Sequence, residues 1–114
     1  MTIIGASDAH GVLGRDVLSA ANEDMGRIVD IIVSRNGQVR AAIIDFGGFL
    51  GVGSRKIAVA WSALRFPSAG QLDPVNVELT RDQVRLAPEF LEGEPIVVLG
   101  SPVPSSGAAT RGGQ

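Results

Sequence analysis

The chain has 114 residues, of which 45% are hydrophobic and 19% charged, a composition typical of one globular domain with one core. It contains no cysteine, which excludes disulfides, thiol catalysis and thiolate metal sites, and its single histidine, His10, excludes a His-rich zinc site. A formal net charge of −2 argues against strong nucleic-acid binding, which usually needs a basic surface. No apolar run approaches the ~20 residues of a membrane-spanning helix, and residues 1–14 lack the basic and apolar regions of a secretory signal. We therefore expect a cytoplasmic protein without membrane insertion.

The first half of the chain predicts three strands. Residues 12–20 form the first candidate, and residues 27–35 and 38–46, both rich in β-branched side chains, form the next two. Asn36-Gly37 between the last two predicts a hairpin with a two-residue type I′ turn, in which both central residues take positive φ. The register that follows pairs Arg35 with Gln38, Val33 with Arg40, Ile31 with Ala42, and Val29 with Ile44.

This register divides the hairpin into two faces. The predicted core face carries Val29, Ile31, Val33, Ala42, Ile44 and Phe46. The opposite face carries Ile28, Asp30, Ile32, Ser34, Val39, Ala41, Ile43 and Asp45. Because this second face is also largely apolar, we expect another part of the protein, or a partner, to cover part of it.

A glycine-rich run, DFGGFLGVGSRKIAVAW, occupies residues 45–61. Gly48 and Gly53 have the glycine spacing of a Walker phosphate loop, but Ser54-Arg55 follows where that motif requires Lys-Ser/Thr. The dinucleotide pattern also fails, and the next segment reads as a strand rather than a helix whose N–H groups could hold a phosphate. We therefore interpret Gly47, Gly48, Gly51 and Gly53 as structural, in a strand-to-strand loop with glycines at positive φ. The loop places Phe49, Leu50 and Val52 at its tip.

The second half predicts two or three short strands and one short helix. Residues 56–64 form a strand with Ile57, Val59 and Trp61 on one face, and residues 75–79 alternate as V-N-V-E-L. Thr80 and Gln83 match a capping box, which predicts a helix of one or two turns that ends before Pro88. Residues 95–100 are a last strand or an extended arm. The fold class is mostly β: a small antiparallel barrel of five or six strands with one short helix. We expect an N-terminal extension over 1–11, the barrel over 12–100 and a flexible Pro/Ser/Gly tail over 101–114.

Residues 14–90 resemble the PRC-barrel domain, the module of the photosynthetic reaction-centre H subunit and of the ribosome maturation factor. The resemblance lies in Gly14 with Val17, Gly26 before Ile28 and Asp30, the run 45–53, the strand 57–61, and the segment 86–90. Ala60 departs from it, because many members have proline before the aromatic residue. The resemblance implies a six-stranded barrel used for docking proteins, in some cases near RNA or membranes. It implies no catalytic residues.

Several other features are weak candidates for a reactive site. Asp30 and Asp45 share a predicted hairpin face, but two carboxylates without further ligands are a poor metal or acid–base site. His10 reads as a surface residue, and Gly112-Gly113-Gln114 matches the tripeptide of translation release factors only by coincidence. Trp61 is most simply a core residue, although aromatic residues near a sheet edge also anchor contacts. We predict no catalytic residue, no cofactor and no metal.

The leading functional hypothesis is a non-enzymatic docking module of bacterial type that forms a homodimer. The predicted contact includes Ile28, Ile32, Val39 and Ile43 on the hairpin, or Phe49, Leu50 and Val52 in the loop. One alternative is an accessory factor in RNA processing or ribosome assembly, which would bind a ribosomal protein rather than RNA. A second alternative is a soluble accessory of a membrane or photosynthetic complex. The sequence does not name the protein partner.

Overall fold

The computed structural model describes residues 1–6, 8, 9, 11–66 and 74–100. The predicted tail over 101–114 and His10 lie outside these residues. The strands are β1 (Asp16–Leu18), β2 (Asp24–Val33), β3 (Val39–Asp45), β4 (Lys56–Ala60), β5 (Leu64–Arg65), β6 (Val75–Val77) and β7 (Val98–Leu99). The helices are α1 (Gly47–Leu50), a 3-10 turn (Trp61–Ala63) and α2 (Arg81–Leu86).

The described strands form one mixed sheet in the order β5-β6-β1-β2-β3-β4-β7. The mostly β prediction is confirmed, but the expected antiparallel barrel of five or six strands is corrected in two respects. The described residues contain seven strands, and β1–β6 and β4–β7 pair in parallel. Within the described residues, β5 and β7 are the two ends of the order, so the sheet is not a closed barrel. The single predicted strand over 56–64 is divided into β4 and β5 by the 3-10 turn.

The hairpin of β2 and β3 exists, but its turn is one residue longer than predicted. The N–H of Gly37 donates to the carbonyl of Ser34 at 2.9 Å, and the N–H of Ser34 donates to the carbonyl of Gln38 at 2.9 Å. Gly37 has φ +86°, whereas Asn36 does not take a positive φ. This is the geometry of a three-residue loop with a glycine bulge rather than of a type I′ turn.

The longer turn and two bulges change the register at both ends of the hairpin. Ile31 pairs with Ala42 as predicted, but Val33 pairs with Val39 and Ile28 pairs with Ile44. The extra residues are Arg40 on β3 and Val29 on β2. A bulge inserts one unpaired residue and so reverses the alternation of side chains beyond it.

The core lies on one face of the sheet. Ile28, Ile44 and Phe46 are fully buried in the main cluster, whereas Val29 and Val33, which the predicted register placed in the core, are exposed. The main cluster also contains Val17, Met25, Ala42, Ile57, Val59, Leu64, Val75, Val77, Val84 and Ala87. Burial of this apolar surface is the main stabilising term of the fold.

A second, smaller cluster covers the opposite face of β3 and β4. Ala41, Ile43 and Ala58 are buried there, with Ile32, Phe90 and Val98 packed against them. The N–H of Phe90 donates to the carbonyl of Lys56 at 2.7 Å, which holds the segment after α2 on this face. The expected cover for the second apolar face is therefore supplied by the chain itself.

The capping box of α2 is confirmed in full. The N–H of Gln83 donates to Thr80 Oγ1 at 3.1 Å, and the N–H of Thr80 donates to Gln83 Oε1 at 2.8 Å. Val84 in this helix is buried in the core, and Leu79 packs against the same cluster. The capping box is a local signal, which explains why the sequence predicts this helix correctly.

Candidate docking groove at the glycine loop

The glycine loop, defined as residues 46–55, contains a single helical turn rather than an extended connection. The N–H of Leu50 donates to the carbonyl of Phe46 at 3.0 Å, and Gly51 ends the turn with φ +78°. Of the four glycines expected at positive φ, only Gly51 has it. Gly47 is needed for a different reason, because a Cβ there would lie 2.8 Å from the Cα of Ser54. The expectation of positive φ is therefore wrong for Gly47, Gly48 and Gly53, and Gly47 is required for close packing instead.

The carboxylate of Asp45 closes this loop. Its Oδ1 accepts from the N–H of Gly47 at 2.9 Å and from the N–H of Arg55 at 3.0 Å, and its Oδ2 accepts from Ser54 Oγ at 3.0 Å. These hydrogen bonds, that from the Arg55 N–H above all, hold the pKa of Asp45 below its usual range, although partial burial acts in the opposite direction. Asp45 is therefore a structural anchor that joins the start of the loop to its end.

Two arginines fasten the loop to α2 and the segment that follows it. The guanidinium of Arg81 lies 4.1 Å from the centre of the Phe49 ring, and its Nη1 donates to the carbonyl of Phe49. Arg55 Nη2 donates to the carbonyl of Ala87 at 2.7 Å. Cation–π contact at such a half-exposed site contributes about 0.5–1 kcal/mol. The loop is thus preorganised rather than free to rearrange.

An open groove of about 450 Å³ lies between this loop and β2. Its lining consists of Asp24, Met25, Gly26, Arg27, Val29, Asp45, Gly48, Phe49 and Gly53. Gly26, with φ +151°, allows β2 to approach the end of β3, because a Cβ there would lie 2.1 Å from the carbonyl oxygen of Asp45. The groove combines two apolar side chains, Val29 and Phe49, with the carboxylates of Asp24 and Asp45 and the guanidinium of Arg27.

The structure separates the predicted contact residues into buried and accessible ones. Ile28 and Ile43 are fully buried within the chain, and neither can present its side chain to a partner. Ile32 is half-buried against the second cluster, and Phe49 and Leu50 are half-buried against the main core. Val39 and Val52 are accessible, with 38% and 50% of their surface exposed.

Two accessible apolar residues of the hairpin were not among the predicted contacts. Val33 is 53% exposed and pairs across the hairpin with Val39, so the two valines form an apolar pair at the hairpin end. Val29 is exposed at the bulge and lines the groove. The sequence contains a signal for the first, since a three-residue reading of the Arg35-Asn36-Gly37 turn places Val33 opposite Val39.

The two aspartates of the hairpin do not form a joint site. Asp30 pairs in the sheet with Ile43 and Asp45 pairs with Arg27, with the Val29 bulge between them. Asp30 Oδ1 accepts from the N–H of Ile31 at 2.8 Å, while Asp45 is engaged in the loop. Among the residues that the structure describes, no three His, Cys, Asp or Glu side chains are grouped so as to hold a metal ion.

The comparison with protein families decides the classification. The family model of the PRC-barrel domain matches residues 5–84, which include every described element from β1 to the first turn of α2. The chain belongs to the PRC-barrel domain family. The match begins earlier and ends earlier than the resemblance over 14–90, so the segment at 86–90 lies beyond it. No curated protein matches the chain.

Membership of the PRC-barrel family indicates in general terms what kind of surface the groove is. The PRC-barrel domain is in general a protein-interaction module with a non-catalytic fold. In the described part of the chain, no helix is both long enough and apolar enough to cross a membrane. The accessible features of this PRC barrel are therefore best read as contact surfaces.

Proposed function

We propose that this PRC barrel is a non-enzymatic docking module that forms a symmetric homodimer. The observation that carries the proposal is the set of exposed valines on a rigid support: Val29, Val33 and Val39 on the hairpin and Val52 on the glycine loop. Val39 and the glycine loop belong to the contact that the sequence predicts. In the contact proposed here, the exposed Val33 and Val29 take the place of Ile28 and Ile43, which are buried.

The rigidity of the support favours a contact surface over a surface that rearranges. Asp45 ties both ends of the glycine loop together, and Arg81 holds Phe49 from the other side. A preorganised surface loses little conformational entropy on binding, which leaves more of the gain from apolar burial as affinity.

The hairpin end suits a second copy of the same chain. In a twofold dimer, one surface patch meets its own copy, so a small apolar patch contacts an identical apolar patch. Val33 and Val39 lie directly opposite each other on neighbouring strands, and a twofold axis near them would bring four valines together. Because Val33 and Val39 are only 53% and 38% exposed, burying the rest of each contributes about 0.5–1.5 kcal/mol.

The absence of cysteine from the sequence offers a direct test by cross-linking. Single substitutions Val33→Cys, Val39→Cys and Val52→Cys each introduce one thiol per chain. A disulfide between copies needs Cα atoms roughly 4.4–6.8 Å apart, so it forms efficiently only for residues near a twofold axis. We expect at least one of these variants to form a covalent dimer rapidly under mild oxidation.

Leu86→Cys is the matched control, because Leu86 is an apolar residue that is 75% exposed but lies on α2. Random collisions would cross-link this control as fast as the hairpin and loop variants. If none of the three valine positions cross-links faster than the Leu86 position, the proposed contact is wrong.

A further inference from the structure

Two aromatic side chains form an accessible surface that the docking groove does not include. The rings of Trp61 and Phe66 lie with their centres 4.8 Å apart at an interplanar angle of 43°. Phe66 is 40% exposed, while Trp61 is half-buried and packs against the main core. The Trp61 ring is therefore held by the core, and it supports the more exposed Phe66 ring.

This aromatic pair lies beside the place where the sheet does not close. Trp61 begins the 3-10 turn that leads into β5, and β5 is one end of the strand order. Gly100, which follows β7 at the other end of the order, lies beside Ala63, because a Cβ on Gly100 would be 3.2 Å from the Ala63 Cβ. An open gap of about 410 Å³ lies at this junction, with Ala63, Leu79 and Gly100 in its lining.

The chain continues past Gly100 for residues 101–114, which begin Ser-Pro-Val-Pro. Ala63 is two residues from Trp61 and three from Phe66, so neither Cα lies more than about 11 Å from that of Ala63, even in fully extended chain. Four residues in the polyproline II conformation span about 12 Å. Gly100 lies beside Ala63, and the Trp61 Cα is at most about 7 Å from that of Ala63. The segment 101–104 is therefore long enough to reach the Trp61 side chain, and the Phe66 ring lies 4.8 Å from the Trp61 ring.

We propose that the Trp61–Phe66 pair is a docking site for residues 101–104 of the same chain, with Pro102 or Pro104 against the rings. Aromatic-lined surfaces bind proline-containing segments because the polyproline II conformation is already extended and loses little entropy on binding. A segment bound there covers the exposed part of Phe66, which directly follows β5, one of the two edges of the described sheet at which another chain could add. This site is independent of the valine contact proposed above.

Trp61 is the only tryptophan of the chain and reports on the site without a label. The test compares the full-length protein with the double variant Pro102→Ala/Pro104→Ala by two measurements: the NMR position of the single indole N–H, and quenching of Trp61 fluorescence by acrylamide. We expect the double variant to lose protection from the quencher and to shift the indole resonance. The matched control Ser105→Ala/Ser106→Ala changes the same tail without removing proline and should leave both signals unchanged.

Two further arms distinguish docking within one chain from docking on a second copy. In a Phe66→Ala background, the proline substitutions should no longer move the indole resonance, because one wall of the site is absent. Isotope-labelled Pro102→Ala/Pro104→Ala protein should keep its altered resonance when unlabelled wild type is added. Recovery of the wild-type signal in that mixture would mean that the tail docks on a second copy, and it would overturn the proposal. Unchanged signals in the first comparison would overturn it as well.

Discussion

Removing the Asp45 carboxylate should loosen the glycine loop. Asp45→Ala deletes the acceptor of two backbone N–H groups, those of Gly47 and Arg55, and of the Ser54 hydroxyl. Both backbone bonds are partly buried, whereas the Ser54 bond is exposed. An unsatisfied buried donor costs about 1–3 kcal/mol, and partial access to water places these two near the lower end. We expect the free energy of unfolding to fall by about 2–4 kcal/mol, since the exposed Ser54 bond adds little.

A graded series separates the hydrogen bonds from the charge. Asp45→Asn keeps one carbonyl oxygen for the two backbone donors, and its amide can donate to Ser54 Oγ, so only the charge assistance is lost. The expected loss is about 1 kcal/mol. Ser54→Ala removes the exposed bond alone and should cost less than about 0.5 kcal/mol.

Urea unfolding followed by Trp61 fluorescence measures all three variants against wild type. Because native domains are stable by only about 5–15 kcal/mol, the loss in Asp45→Ala is a large fraction of the total and easily resolved. The reasoning is refuted if Asp45→Ala unfolds within about 0.5 kcal/mol of wild type, or if Asp45→Asn is as unstable as Asp45→Ala.

Three further predictions use other features of the fold. The Arg55 N–H, with the Gly47 and Ser54 donors, lowers the pKa of Asp45 in the folded state. The ionised Asp45 therefore contributes its full stabilisation above the unfolded-state pKa of about 4. This stabilisation disappears as the pH falls through the lower folded-state pKa. Wild type should therefore lose stability more steeply than Asp45→Asn on acidification below that pH, and parallel acid-unfolding curves would contradict this. Gly26→Ala, which brings a Cβ against the Asp45 carbonyl, should destabilise by about 2–5 kcal/mol, whereas Gly48→Ala, in open space, should be neutral in thermal unfolding. Thr80→Ala removes the cap of α2 and should cost about 0.5–2 kcal/mol in urea unfolding, with Thr80→Ser near wild type.

Sequence reasoning succeeded where the physical cause is local. The capping box at Thr80 needs only two side chains three residues apart, and Asn36-Gly37 marks a hairpin whatever the rest of the chain does. The family follows from the glycine run and its neighbouring strand, and the match over residues 5–84 confirms it.

The residues whose burial was predicted wrongly owe their positions to interactions between distant parts of the chain. The bulge at Val29 turns Ile28 into the core, and it lies where Gly26 brings β2 against the backbone of Asp45. Ile43 is buried because Phe90 and Val98, about fifty residues later, pack over it. The parallel pairs β1–β6 and β4–β7 likewise join segments with no local signal for each other. The contact on the hairpin and loop of this PRC barrel therefore stays a prediction, from which burial within the chain removes Ile28 and Ile43.

The central claim is that this PRC barrel acts by docking and that its exposed valines meet in a homodimer. Sedimentation equilibrium over a range of micromolar concentrations measures this most directly. The account predicts that the wild-type mass rises from 11.8 kDa toward twice that value, and that Val33→Ser/Val39→Ser weakens the dimer at least about tenfold while Leu86→Ser does not. A wild-type mass of 11.8 kDa at every concentration would contradict it.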